Sequence, residues 1–217
     1  MKTAIILGAS GLVGSELLNL LLKSDSAYDN VIVFLRKSLP LKNKKLTQYI
    51  IDFENIDFYQ DLIRCDDLFC CLGTTIRKAG LQDNFRKVDM DYPIRFAKLA
   101  QQNGTNQFLM ISSIGANATS SAFYLRTKGQ CENSIQHIGF ESVSVFRPSA
   151  LVGKRSEFRL GEKVGVCFAQ IFSVFLIGRF RKFKPIKAIQ VAKAMNLTAQ
   201  QNNKGFRVYE SDEIQRL

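Results

Sequence analysis

Two serines and a tyrosine–lysine pair are the residues of this chain whose types and spacing best suit catalysis. Ser112 and Ser113 follow an apolar segment, and Tyr124 and Lys128 stand four positions apart. Residues at this spacing share one face of a helix. An ammonium group close to a phenol lowers the pKa of the phenol. Such a tyrosine could exchange a proton with a carbonyl or alcohol oxygen, which a serine hydroxyl opposite would hold.

Carbonyl–alcohol chemistry also needs a hydride carrier, and the start of the chain has the pattern of a dinucleotide-binding turn. An apolar segment at residues 3–7 runs into Gly8-Ala9-Ser10-Gly11-Leu12-Val13-Gly14, and a segment with helical apolar spacing follows. Gly8 would permit a tight turn, Gly11 a close approach of phosphate, and Gly14 the packing of helix on strand. The N–H groups at the helix start would bind a diphosphate. The glycine spacing alone is weak, but the strand before it and the helix after it raise its specificity.

The residues after the second predicted strand indicate which dinucleotide is bound. That strand ends at Arg36-Lys37, with no acidic residue. An acid there would bond the ribose 2′-hydroxyl of NAD, whereas an arginine accommodates the 2′-phosphate of NADP. We therefore predict NADP(H), with NAD less favoured. Asp52, which ends the third predicted strand, could accept from the adenine amino group or could cap a helix.

Strands and helices alternate along the chain, which predicts an α/β fold with a doubly wound parallel sheet of the Rossmann type. We expect one NAD(P)-binding domain over residues 1–217, in which residues 151–217 form a small C-terminal substrate-side lobe. The predicted strands are residues 3–7, 30–35, 48–52, 67–72, 107–112, 142–146 and 205–209, and the predicted helices are residues 12–23, 83–102, 124–137 and 186–199.

The amino-acid composition argues against several classes of function. The 217 residues are 46% hydrophobic and carry a net charge of +11. The basic residues are spread along the chain without a nucleic-acid-binding motif, so a soluble basic surface is favoured over a nucleic-acid partner. The five cysteines form no CxxC pair and the only histidine is His137, which argues against disulfides and a metal site.

Localisation is predicted to be cytoplasmic, because the first strand begins at once and leaves no room for a signal peptide. The apolar stretch 164–178 is too short to span a bilayer. Together with the basic residues that follow, the segment 164–187 could lie on a membrane surface. A core-packing or dimer-contact helix is the commoner meaning of such a pattern.

Several segments together resemble the short-chain dehydrogenase/reductase superfamily, in its atypical, truncated branch. The closest likeness is to the Tat-interacting-protein group of NADPH-binding oxidoreductase-like proteins. The matching segments are ILGASGLVG (6–14), IDFENIDFY (51–59), DLFCCLGTTIRKAG (67–80), KVDMDY (87–92), MISSIGA (110–116), YLRTKGQCE (124–132) and SVFRPSALVG (144–153).

The resemblance implies roles for individual residues. Tyr124 would be the acid/base, Lys128 would bind the nicotinamide ribose, and Ser113 or Ser112 would polarise the substrate. Arg147 and the segment from Pro148 to Leu151 would line the nicotinamide side. The implied cofactor contacts are Gly8, Ser10, Gly11, Leu12, Val13, Gly14, Arg36, Lys37, Asp52, Phe53, Leu72, Gly73, Thr74, Tyr124, Lys128, Pro148, Leu151 and Arg159.

The chain also departs from the wider superfamily. Leu72-Gly73-Thr74-Thr75 replaces the Asn-Asn-Ala-Gly turn that often follows the fourth strand. The helical asparagine of many members' proton relay has no clear match, although Asp89 and Asp91 are nearby in the sequence.

The sequence thus predicts an NADP(H)-dependent oxidoreductase, monomeric or homodimeric, that acts on a small or lipid-like carbonyl or alcohol. The alternative is a non-catalytic NADPH-sensing protein that binds protein partners. A sugar-nucleotide epimerase or dehydratase ranks last, because the predicted lobe is short for a nucleotide sugar.

Overall fold

The computed structural model describes residues 1–153, 182–201 and 203–217. Its main feature is a seven-stranded sheet whose neighbouring strands are all parallel. The strands in chain order are β1 (Thr3–Leu7), β2 (Asn30–Leu35), β3 (Leu46–Ile50), β4 (Asp67–Cys70), β5 (Gln107–Ile111), β6 (Ser142–Arg147), β7 (Leu151–Val152), β8 (Ile186–Lys187) and β9 (Gly205–Glu210). The main sheet has the order β3-β2-β1-β4-β5-β6-β9, and β7 pairs with β8 separately.

Helices cover both faces of this sheet. They are α1 (Leu12–Leu21), α2 (Ile76–Ala79), α3 (Gln82–Arg86), α4 (Tyr92–Gln102), α5 (Phe123–Gln136), α6 (Ala188–Ala199) and α7 (Ser211–Ile214), with a 3-10 segment at Phe53–Leu62 and a π turn at Lys87–Asp91. Leu17 of α1 and Val191 of α6 belong to one buried apolar cluster, while Phe96 of α4 and Ile135 of α5 belong to another. Burial of these two clusters is the main favourable term for the fold. The predicted doubly wound parallel architecture is confirmed.

Two element predictions need correction. The third strand is Leu46–Ile50 and not residues 48–52, because its register on β2 runs from Val31↔Leu46 to Leu35↔Ile50. Asp52 lies beyond the strand and caps the 3-10 segment. The predicted helix 83–102 is three consecutive pieces, α3, the π turn and α4. The bounds of β1 and β2 are as predicted, and the other predicted boundaries differ from the observed ones by at most two residues at an end.

The last part of the chain returns to the core. β9 lies parallel to β6, with Ser142↔Gly205 and Arg147↔Glu210 as the ends of the register. Helix α6 packs against α1 on one face of the sheet. Within the predicted lobe 151–217, residues 186–201 and 203–217 therefore belong to the Rossmann core. Arg159 and most of the apolar–basic segment 164–187 lie outside the described residues.

Across the described part of the chain, no helix combines the length and the apolar character that crossing a membrane requires.

Candidate active site

The glycine turn after β1 forms a backbone cradle that side chains would fill. Gly8 has φ +77, and a Cβ there would lie 2.5 Å from the carbonyl oxygen of Cys71, which follows β4. A Cβ on Gly14 would lie 2.1 Å from the carbonyl oxygen of Gly8. Only glycine accommodates these contacts. Helix α1 begins after Gly11 without a side-chain cap, so the cradle has the open amides that bind a diphosphate.

Two cavities meet at this turn, at the carboxyl ends of the parallel strands. One has a volume of about 490 Å³ and the other about 540 Å³. Both are lined by Gly11, Cys71, Leu72, Gly73 and Thr74, so together they form one groove across the sheet. The strand order reverses between β1 and β4, which is where dinucleotides bind in doubly wound sheets.

The cavity of about 540 Å³, the adenosine-side cavity, is lined by the basic residues Arg36, Lys78 and Lys87, together with Glu54 and Tyr92. Glu54 accepts a hydrogen bond from the Tyr92 hydroxyl at 2.7 Å and lies 2.9 Å from the ammonium of Lys87. These two hydrogen bonds, that of Tyr92 first, lower the pKa of the Glu54 carboxyl. Arg36 is exposed, as a residue that receives a phosphate from solvent would be.

Four predicted cofactor residues of the described part of the chain lie outside both cavity linings, namely Gly14, Lys37, Asp52 and Phe53. Asp52 accepts hydrogen bonds from the Glu54 backbone N–H at 3.0 Å and from the Asn55 amide at 2.6 Å, which is a capping arrangement. Phe53 is buried against the rings of α4. Lys37 is exposed next to Arg36. Of the two roles considered for Asp52, the structure shows the cap.

The cavity of about 490 Å³, the catalytic-side cavity, is lined by the residues that are predicted to be catalytic. Its lining includes Ser113, Tyr124, Lys128 and Asp89. The Tyr124 ring lies against the buried Phe85 ring, with centroids 5.5 Å apart. Leu12, Val13, Pro148 and Leu151 line the same cavity.

Lys128 is buried and paired with Asp89. The Lys128 Nζ lies 2.7 Å from Asp89 Oδ1, with side-chain exposures of 5% and 1%. Asp89 Oδ2 accepts a hydrogen bond from the Thr74 backbone N–H at 2.8 Å. Burial by itself would lower the pKa of Lys128, but the charges of Asp89 and then Tyr124 outweigh it and raise that pKa above its usual value. The ammonium is therefore charged throughout the neutral range.

The two serines have different surroundings. Ser112 is buried and its hydroxyl donates to Glu132. Glu132 in turn accepts from Arg147 Nε at 3.1 Å and from Nη2 at 2.5 Å, and Arg147 Nη1 lies 3.3 Å from Glu210. The Ser113 hydroxyl has only a long contact of 3.4 Å to a carbonyl among the described residues. Ser113 is therefore the serine whose hydroxyl is open to a ligand.

The position expected for Arg147 is corrected by the same contacts. Its guanidinium lies in the ion-pair network with Glu132 and Glu210 and is absent from the described cavity lining. The next four residues, Pro148 to Leu151, do line the cavity.

Helix α5 is held in place by a glycine contact. A Cβ on Gly129 would lie 2.2 Å from the backbone nitrogen of Ala118. The Asn117 N–H donates to the Leu125 carbonyl at 3.1 Å. This close packing fixes the helix that carries Tyr124 and Lys128 against the loop that follows Ser113.

Comparison with known proteins decides the family. A family model described as NAD(P)H-binding matches residues 8–163. This chain belongs to that family. Rat protein HTATIP2 is 40% identical over 165 residues, which are 74% of this chain and 67% of the relative. The mitochondrial protein FMP52 of Candida albicans is 31% identical over 198 residues, 88% of this chain and 85% of the relative. The resemblance to atypical short-chain dehydrogenase/reductases is confirmed.

Solved structures show the same fold at low identity. MoeE5 in complex with UDP-glucose and NAD superposes with a TM-score of 0.72 and 16% identity, covering 98% of this chain and 79% of that chain. A putative NAD-dependent epimerase/dehydratase from Bacillus halodurans has a TM-score of 0.70 and 17% identity, covering 96% and 92%. These likenesses establish the Rossmann-like NAD(P)-binding fold of this family member.

Sequence patterns do not single out Asp89 and Glu54, which line the groove, or Glu132, which bonds to Ser112 of the lining. Asp89 was noted only as a neighbour of a missing asparagine, while Glu54 and Glu132 were not considered. Their positions depend on a π turn, a 3-10 segment and a helix face that the sequence shows only weakly. Glu132 had one available signal, since it continues the four-residue spacing of Tyr124 and Lys128 along α5.

Proposed function

We propose that this protein is an NADP(H)-dependent oxidoreductase that transfers a hydride between the cofactor and a carbonyl or alcohol substrate. The observation that supports the proposal is the continuity of the groove. Tyr124, Lys128 and Ser113 line one part of it, and the glycine cradle begins the other. The membership in an NAD(P)H-binding family agrees with this assignment.

The residues divide the work of binding between them. The amides at the start of α1 bind the diphosphate, and Arg36 binds the 2′-phosphate. The Lys128 ammonium has three donors, so two remain for ribose hydroxyls beside the contact with Asp89. The bound nicotinamide supplies or accepts the hydride.

Proton transfer is assigned to the tyrosine. Ser113 Oγ donates a hydrogen bond to the substrate oxygen and so holds it beside the Tyr124 hydroxyl. In the reductive direction, Tyr124 gives its proton to this oxygen as the alcohol forms. In the reverse direction, the same group removes the proton.

The lining supports an uncharged substrate. The charged side chains of the described catalytic-side lining, Asp89 and Lys128, pair with each other. Much of the remaining lining is apolar, including Ile111, Ile114 and Leu151. A small or lipid-like carbonyl compound suits such a wall. A cytoplasmic location remains part of this proposal.

The test is oxidation of NADPH, followed by absorbance, with a panel of aldehydes and ketones. Tyr124→Phe removes the proton donor and should lower kcat/KM by about 10²-fold or more, while NADPH affinity stays within a few-fold. Tyr59→Phe is the matched control, since Tyr59 lies outside both cavity linings. Full activity in the Tyr124→Phe variant, or no oxidation with any carbonyl in the wild type, would contradict the proposal.

A second candidate function is a non-catalytic NADPH sensor. The observation in its favour is that the charge of the buried Lys128 is already balanced by Asp89. This candidate requires NADPH binding without turnover and a protein partner whose affinity changes with cofactor. Capture of the same partners with and without NADPH would reject it. The epimerase alternative has only the shared fold in its support, at 16% identity.

A further inference from the structure

The π turn Lys87–Asp91 brings one carboxylate into the interior of the molecule. Asp89, at its centre, is 1% exposed. Asp91, two residues later, stays about half exposed and lies 3.9 Å from Arg86. π turns are rare and are frequently found at functional sites. Burying a carboxylate costs free energy unless the group is paired and hydrogen-bonded. The contacts that compensate the burial of Asp89 therefore indicate the role of this turn.

Asp89 joins two parts of the groove through its two oxygens. Oδ2 accepts from the Thr74 backbone N–H at 2.8 Å, in the turn after β4. Oδ1 lies 2.7 Å from Lys128 Nζ on α5. Gly73 stands directly over this pair, because a Cβ there would lie 3.4 Å from Asp89 Oδ1 and 3.8 Å from Lys128 Nζ. Gly73 and Thr74 line both cavities.

We propose that Asp89 is a positioning residue for the cofactor, acting through Lys128. The Thr74 N–H fixes the carboxylate, and the carboxylate fixes the Lys128 ammonium beside the Gly73 turn. This inference rests on the proposed function, because it takes NADP(H) as the ligand of the groove. It goes further by assigning the affinity for that ligand in part to a residue that the cofactor does not touch.

The physical reason is the flexibility of lysine. Its ammonium is a point charge on a four-carbon stem with several rotatable bonds, and immobilising such a side chain on binding costs free energy. Because Asp89 already holds the Lys128 side chain in the folded protein, the free-energy cost of immobilising it is not added when the cofactor binds. The ion pair at 2.7 Å holds the ammonium next to Asp89 before the cofactor binds.

A merely structural ion pair makes a different prediction. Loss of Asp89 would then lower the stability of the protein, while the folded fraction would bind NADPH as before. The distinguishing quantity is therefore the coupling between Asp89 and Lys128 in NADPH affinity. Asp89→Asn suits this measurement, since its amide oxygen can still accept from Thr74, while the NH2 that replaces Oδ1 neither carries a charge nor accepts from Lys128.

The experiment is a double-mutant cycle on the dissociation constant of NADPH, measured by titration calorimetry on the full chain. Asp89→Asn should weaken binding about tenfold in the wild-type background and less than twofold in the Lys128→Met background. Asp91→Asn, on the same π turn, is the matched control and should stay within twofold of the wild type. Equal weakening in both backgrounds, or no weakening by Asp89→Asn, overturns the inference.

A second variant is needed in case Asp89→Asn folds poorly, because Asp89→Asn leaves a buried ammonium without its carboxylate. Asp89→Glu keeps the charge and moves it by one methylene. If Asp89→Glu weakens NADPH binding in the wild-type background but not in the Lys128→Met background, the inference is supported. Equal weakening in both backgrounds overturns it. Absence of NADPH binding by the wild-type protein overturns the proposed function and the inference together, whereas wild-type binding with equal losses overturns the inference alone.

Discussion

At the scale of single residues, the proposed preference for NADP(H) over NAD(H) depends on Arg36. Its guanidinium lines the adenosine-side cavity and is exposed. Arg36→Ala should weaken NADPH binding about 10- to 100-fold, because a charge-assisted bond to phosphate contributes about 1.5–3 kcal/mol. NADH, which has no 2′-phosphate, should bind as tightly to the variant as to the wild type. Titration of both proteins with both cofactors measures the difference.

The control for this prediction is the next residue. Lys37 is equally basic and exposed but lines neither cavity, so Lys37→Ala should leave both affinities within twofold. Equal losses of NADPH and NADH affinity in Arg36→Ala would show a general charge effect and contradict the assignment.

Single residues also show which positions of the groove the sequence can indicate. Arg36 and Ser113 could be assigned because each follows the end of a parallel strand, and all such ends meet at one edge of the sheet. Tyr124 and Lys128 followed from helical spacing. Asp89 and Glu54 could not be assigned, because their side-chain directions are set by a π turn and a 3-10 segment, which have no clear sequence signal.

At the scale of elements, the packing of α5 on the preceding loop depends on Gly129. Alanine in place of glycine within a helix ordinarily stabilises it by about 1 kcal/mol. Here the added Cβ would lie 2.2 Å from the backbone nitrogen of Ala118, and overpacking of this kind costs about 1–3 kcal/mol. Gly129→Ala should therefore lower the free energy of unfolding, as measured by urea denaturation, and should reduce activity by moving Tyr124.

An exposed position on the same helix provides the comparison. Asn133 is exposed, so Asn133→Ala should change the free energy of unfolding by no more than about 0.5 kcal/mol. An increase in stability for Gly129→Ala would mean that the loop moves aside freely, and it would remove the proposed role of this contact.

The predicted bounds were most accurate for strands that are buried on both faces of the sheet. The strands β1 and β2 match residues 3–7 and 30–35, since continuous apolar runs mark strands that are covered on both faces. The predicted range of β3 is displaced by two residues from the observed one. β3 is an edge strand with mixed polarity, Leu-Thr-Gln-Tyr-Ile, and only its pairing with β2 sets its register. The predicted helix 83–102 keeps helical spacing across the π turn, so the sequence gives no sign of the break.

At the scale of the whole molecule, stability should fall at alkaline pH because thiols are buried. Burial raises the pKa of Cys70 to about 11 and also raises the pKa of Cys131. Unfolded thiols lose their protons near pH 8.5, so above this pH the folded state binds more protons than the unfolded state. Each thiol then lowers the free energy of unfolding by about 1.4 kcal/mol per pH unit. Urea denaturation with reductant at pH 7.5 to 10 measures the slope.

This pH range separates the thiols from other buried groups. The raised pKa values of Lys128 and Tyr28 begin to reduce stability only above about pH 10, where these groups titrate in the unfolded chain. Cys131→Ala should reduce the pH dependence of the free energy of unfolding between pH 8.5 and 10 by the contribution of one thiol. A free energy of unfolding that stays constant from pH 7.5 to 10 would contradict the expected burial of these thiols.

The short ladder between β7 and β8 has a consequence for how this fold can diversify. Leu151 pairs with Ile186 and Val152 with Lys187, and the Ser149 hydroxyl donates to the Lys184 carbonyl. Residues 151–152 and 186–187 are therefore adjacent, beside the wall that Pro148 to Leu151 give to the catalytic-side cavity. Because these pairings hold that wall in place, residues beyond Val152 can change between family members while this side of the cavity keeps its position.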